Sequence, residues 1–196
     1  MQEDSRLDSG RTAWAVCAAV LVVVGLGLRI LAARGDLWLD EIWSMALAGS
    51  AGSWAKVFTA LHSDNNHYLT TLWMRQFGPG APAILIRIPS LLAGLASMLT
   101  ILARPLGINR REALAWLFLV ALSPILVEYD SEARGYGMAL AFGVMLVWML
   151  GRHLQDGRRG WLAGVTVAAS LGILAPFRWR VRPAFLLGPM DSRSRP

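Results

Sequence analysis

The chain alternates long apolar runs with short polar interruptions. Five runs stand out, at about residues 13–33, 84–103, 113–127, 135–150 and 161–175. A helix rises about 1.5 Å per residue and a bilayer presents about 30 Å of hydrocarbon, so about 20 mostly apolar residues make one crossing. The first two runs meet that length. The last three are shorter and need polar ends or packed neighbours to cross. The first run lacks a small-x-small cleavage site and is followed by further runs, which favours a retained anchor over a signal peptide. The pattern predicts an all-α integral membrane protein with about five transmembrane helices spread over residues 13–175.

Between the first two runs, residues 34–83 form the longest polar interruption, and it has its own periodicity. Ile42, Trp43, Met45, Ala46 and Leu47 make one amphipathic face after Asp40, and Tyr68, Leu69, Leu72 and Trp73 make another before Gly78 and Pro79. Both predict short interfacial helices lying at the membrane surface. Arginine sets the expected orientation. Arg104, Arg110 and Arg111 fall between runs two and three, and Arg152, Arg158 and Arg159 between four and five, whereas the turn between three and four has Arg134 alone. The positive-inside rule then places the protein in the cell membrane as a multi-pass chain, with a cytoplasmic N-terminal tail (residues 1–12) and with residues 34–83 and the turn at 128–134 on the outer face.

Composition and charge narrow the function classes. Apolar residues make up 55% of the chain and charged residues only 16%, too few for an ordinary soluble surface. Of the formal net charge of +6, the segment 176–196 supplies +4, through Arg178, Arg180, Arg182, Arg193 and Arg195 against Asp191. The rest carries short basic groups without interleaved aromatics, so a nucleic-acid partner is not expected. The single cysteine, Cys17, allows neither an internal disulfide nor a cysteine metal site. Segment 176–196 is itself aberrant, because arginines and prolines interrupt every apolar stretch and no span can be drawn. A truncation or frame change near residue 176 is the expectation there.

Three outer-face segments carry candidate chemistry. In "DLWLDEIWS", Asp40 and Glu41 are adjacent carboxylates beside a low-dielectric medium, a setting that raises a carboxyl pKa and suits a proton acceptor or cation ligand. The alternative casts Asp40 as a helix N-cap and Glu41 as a first-turn acid. In "YDSEARGYG", Glu128, Tyr129, Asp130, Glu132 and Tyr136 surround Arg134. A planar guanidinium suits a phosphate, although Arg134 could equally pair with its acidic neighbours. In "HSDNNHYLTTLW", His62, Asp64, His67 and Tyr68 could join Asp40 around a divalent cation, but their spacing matches no metal motif. Gly94, Ala96, Gly137 and Gly143 read as close-packing positions between helices.

In this order, the three segments resemble the N-terminal part of the polytopic GT-C glycosyltransferases, in particular the protein O-mannosyltransferase and RgtA/B/C/D-like group. The family's acidic outer-loop motif is matched by "LWLDEIWSMAL", its "RLPS" segment by "IRIPSLLAGLAS" and its "SP…YSQEARPY"-like turn by "SPILVEYDSEARGYGM". The likeness covers roughly residues 14–175. It departs at the "HPPLYY"-like segment, where His67 is followed by Tyr68 and Leu69 with no prolines. The resemblance implies transfer of a sugar from a polyprenyl-phosphate carrier at the outer face to a protein or glycan acceptor. It implies Asp40 as the acid that activates the acceptor or helps hold a divalent cation, with Glu41 in support. Arg134 is implied near the donor phosphate, with Glu132, Tyr129, His67 and Tyr68 as neighbouring binding residues. The family's longer chains complete the donor groove and acceptor site with further spans, so an inactive truncated member is the alternative. A transporter or flippase subunit is disfavoured by the gathering of charge at one face rather than at mid-span.

Overall fold

A computed structural model describes residues 2–59, 67–78 and 80–176, and its described part is all-α. The helix α1 (Gln2–Ala32) leads into a surface segment holding α2 (Leu39–Ser50), the single turn α3 (Lys56–Thr59) and α4 (Tyr68–Met74). Then come α5 (Ala83–Leu102), α6 (Arg110–Leu122), α7 (Pro124–Ser131), α8 (Gly135–Asp156) and α9 (Gly160–Leu174). Both short helices expected in the segment 34–83 are present, as α2 and α4. His62, Asp64 and all of the tail after Pro176 lie outside the described residues.

Among the described residues, three helices are long and apolar enough to cross a membrane: α1 over Ser9–Ala32, α5 and α8. The pair α6 and α7 makes a fourth if its two members, bent by 60°, count as one span. At 15 residues α9 falls short of a hydrocarbon core. The apolar pattern predicts five spans; the structure gives three to four candidates. The pattern also runs the third span smoothly through 113–127, where the structure breaks it. Pro124 has no N–H to continue α6 and restricts Ser123 to extended backbone, so the chain turns and restarts as α7.

Burial sorts the helices. Half of the apolar window of α5 is buried against 17% for α1, which makes α5 the central helix and α1 a peripheral one. The outward positions of α1 are Val16, Val20, Val23 and Leu31, all exposed apolar side chains that suit lipid. Its inward positions meet a core of Met98, Ile101, Leu117 and Ala121 contributed by α5 and α6. Gly94 and Gly137 sit at close approaches between helices, as expected of small residues. Gly143 meets nothing within 4 Å, so that expectation does not hold for it.

Two prolines free backbone carbonyls, and both losses are made good by side chains from other elements. Pro89 within α5 leaves the Leu85 carbonyl without its helical donor, and the Trp73 indole N–H of α4 donates to it at 3.0 Å. Pro124 does the same to Val120. There the Arg29 guanidinium, reaching from α1, donates to the Val120 carbonyl at 2.9 Å and to the Ala121 carbonyl at 3.0 Å. These contacts fix α4 on α5 and α1 on the bend, and so set the floor of the site.

Candidate functional site

Three arginines and four carboxylates collect where α1 ends, α5 and α8 begin and α2 crosses over them. Two of the arginines are wholly buried. Besides its carbonyl contacts, Arg29 donates from Nε to Asp130 Oδ2 at 2.9 Å. A Cβ at position 94 would stand 2.6 Å from that Oδ2 and 2.7 Å from Arg29 Nε, so only glycine leaves room for the pair. Arg87, one turn into α5, donates to the carbonyls of Ala33, Gly35 and Asp36 at 3.0, 2.7 and 2.9 Å, which pins the loop leaving α1. Its remaining donors reach Glu41, from Nε to Oε1 at 2.9 Å and from Nη2 to Oε2 at 2.5 Å.

Glu41 is the counter-charge of Arg87. It is fully buried, and its carboxylate also accepts the backbone N–H of Trp38 at 2.9 Å and of Ala133 at 2.5 Å. The helix-capping alternative for the acidic pair therefore needs correction in detail. Trp38, not Asp40, is the N-cap of α2, and Glu41 at the third helical position reaches back to it, because that spacing places a glutamate over the free N–H groups. One carboxylate thus ties α2 to α5 and to the turn before α8, and every lone pair it needs is in use. Such a group holds its neighbour in place.

That neighbour is Asp40, which points the other way. It is ion-paired with Arg134, the residue immediately before α8, with side-chain exposures of 41% and 25% respectively. Arg134 Nη1 also lies 3.3 Å from Glu132 Oε2, while its buried Nε has no hydrogen-bond partner. Glu132 is almost fully enclosed. Burial pushes its carboxyl above the usual range, with Glu41 and Glu128 adding to the rise and Arg134 and Arg87 opposing it. Of the expected site residues, Asp40, Glu41, Glu132 and Arg134 are thus brought together. His67 is buried with its ring edge-on to Tyr136 at 5.2 Å, and Tyr136 lies 5.3 Å from Tyr129, so these three rings form a chain beside Arg134. Tyr68 goes elsewhere. It stacks on Phe58 at 5.1 Å in an apolar cluster with Ala51 and Val57.

A cleft of about 480 Å³ opens beside this cluster between the end of α1, the loop after it and α7. Asp36, Trp38, Arg87, Glu128 and Glu132 line it, whereas Asp40 and Arg134 do not. Among the described residues no three His, Cys, Asp or Glu side chains converge as a metal-holding group. Asp40 is paired with a cation of its own chain, and His62 and Asp64, its other expected companions, lie outside the described residues. Arg29 and Arg87, the two residues that organise the site, have no place among the sequence-derived candidates. Their sequence signal was an arginine inside each of two otherwise apolar spans, which in lipid demands an internal partner. No family model, curated protein or solved structure gives a significant match to the chain.

Proposed function

We propose that this chain is a membrane glycosyltransferase of the GT-C type, or a part of one, that moves a sugar from a polyprenyl-phosphate carrier to an acceptor hydroxyl at the outer membrane face. The observation that carries the reading is the pairing of Asp40 with Arg134 at the rim of the bundle, on a frame made rigid by two buried arginines. Arg134 keeps a buried Nε donor without a hydrogen-bond partner. A phosphate competes well for a guanidinium, since it offers two oxygens to a planar fork and a full negative charge.

Donor arrival then does two things at once. The carrier phosphate takes Arg134 from Asp40, and Asp40 is left as a free carboxylate beside the reacting centre. The acceptor oxygen attacks the anomeric carbon, the bond from that carbon to the phosphate oxygen breaks, and Asp40 takes the hydroxyl proton. The electron pair leaves on the carrier phosphate, whose charge Arg134 offsets. Glu41 and Arg87 hold α2 in the register that presents Asp40. Glu132 keeps Arg134 oriented.

The alternative is a membrane protein that keeps the fold and not the reaction. Its support is that Arg134 has carboxylates on both sides, so its charge is already met. Binding of radiolabelled polyprenyl phosphate to the detergent-solubilised chain separates the two. Saturable binding that Arg134→Ala abolishes and Asp40→Asn tightens, by removing the internal competitor, supports the exchange. Binding that neither substitution alters overturns it.

A further inference from the structure

At the end of α1 remote from Arg29, a second cleft of about 440 Å³ lies between α1 and the start of α6. Gly10, Ala13, Trp14, Cys17, Arg110, Arg111 and Leu114 line it. The lining is graded along the helices. Arg110 and Arg111 stand at one level with Trp14, and Cys17 and Leu114 stand a turn deeper toward the apolar stretch. Trp14 fixes the cleft's mouth, because its indole N–H donates to the Arg110 carbonyl at 2.9 Å and its ring lies under the Arg110 guanidinium at 5.9 Å. A tryptophan held in this way sits where a bilayer passes from headgroups to acyl chains.

Among the described residues neither Arg110 nor Arg111 forms an ion pair, and the adjacent acid, Glu112, turns its carboxylate back to the Asn109 N–H at 2.8 Å. Asn109 in turn accepts the N–H groups of Arg111 and Glu112, at 2.9 and 3.0 Å, so the backbone donors of this helix end are taken. What remains is a pair of exposed side-chain cations above an apolar slot, framed by an interfacial ring.

We propose that this cleft holds one anionic phospholipid, its headgroup phosphate between Arg110 and Arg111 and the head of one acyl chain against Ala13, Cys17 and Leu114. Charge complementarity selects the anionic headgroup, and the slot below selects a lipid over a free anion. The site is independent of Asp40 and Arg134. Each arginine near a membrane surface strengthens binding of anionic lipid by about 1 kcal/mol, so the pair is worth roughly thirtyfold.

Cys17 is the only cysteine and is exposed, which makes it a built-in reporter. The full chain, labelled there with bimane and reconstituted in phosphatidylcholine vesicles, is quenched by lipids carrying brominated acyl chains. At equal mole fraction, brominated phosphatidylglycerol is expected to quench far more than brominated phosphatidylcholine. The double substitution Arg110→Gln with Arg111→Gln is expected to equalise them while leaving quenching by phosphatidylcholine and the helical circular dichroism unchanged. Arg158→Gln, between α8 and α9, is expected to preserve the preference. Equal quenching by the two lipids in the unsubstituted chain overturns the proposal, as does a preference that survives loss of both arginines. Displacement of the phosphatidylglycerol signal by inorganic phosphate overturns it too, since that marks an anion site without a lipid.

Discussion

Glu41→Gln tests whether the buried ion pair holds the site together. The substitution keeps shape and volume and removes one charge. Arg87 then stays buried with its positive charge uncompensated, although its bonds to the carbonyls of Ala33, Gly35 and Asp36 persist. Breaking one side of a buried pair costs about 3–5 kcal/mol. The upper part of that range is expected, because the same carboxylate also accepts the N–H groups of Trp38 and Ala133, and a Gln side chain has only one oxygen to offer them. Replacing both partners by Met does not restore stability as it does for simpler pairs, since three carbonyls and two N–H groups lose their partners together. Asp40→Asn is the control, with its side chain 41% exposed. It is expected to cost under about 1 kcal/mol. Unfolding of the micelle-bound protein by a denaturing detergent, followed by tryptophan fluorescence, measures both. A Glu41→Gln cost no greater than that of Asp40→Asn would refute the role given to the pair.

Gly94→Ala is expected to lower stability by about 1–3 kcal/mol in the same assay, because the added methyl meets Asp130 and Arg29; an unchanged midpoint would mean the pair can shift freely. Trp73→Phe leaves the Leu85 carbonyl, already orphaned by Pro89, without a donor, and is expected to cost about 1–3 kcal/mol, whereas a neutral result would place another donor there. The raised carboxyl of Glu132 sets a slope of stability with pH. The folded state keeps its proton where the unfolded state has lost it, so this contribution to stability is greatest below the ordinary 4.5 and declines as pH rises through the raised folded value. Thermal midpoints of Glu132→Gln across that window are expected to lack the decline, and a slope identical to that of the unsubstituted chain would contradict the assignment.

Much of the fold was legible in the chain. The long apolar helices α1, α5 and α8 follow from the length of their apolar runs, and α2 and α4 from the spacing of Ile42, Trp43 and Leu47 and of Tyr68, Leu72 and Trp73. The bend at Pro124 does not follow from the apolar pattern, because 13 apolar residues in the 15-residue run 113–127 outweigh a single breaker within it. The site was half legible. Adjacency singled out Asp40 and Glu41, but nothing in a pair of neighbouring acids tells which one is spoken for. That depends on Arg87, 46 residues further on, and on the Ala133 N–H, which together hold Glu41 inward. Likewise Arg29 and Asp130 are 101 residues apart and meet because α1 packs on the bend. Partner choice over such distances belongs to the tertiary arrangement, whereas the need for some partner is visible in any arginine set within an apolar span.

Sugar transfer itself is the most direct measurement. Membranes from cells lacking the endogenous gene, supplied with a radiolabelled polyprenyl-phosphate sugar and expressing this chain, are expected to form a labelled acceptor product. Asp40→Asn and Arg134→Ala are each expected to abolish that product at unchanged protein level. Absence of product with the unsubstituted chain, or product that survives both substitutions, would contradict the assignment of Asp40 and Arg134 as the residues of a glycosyl transfer site.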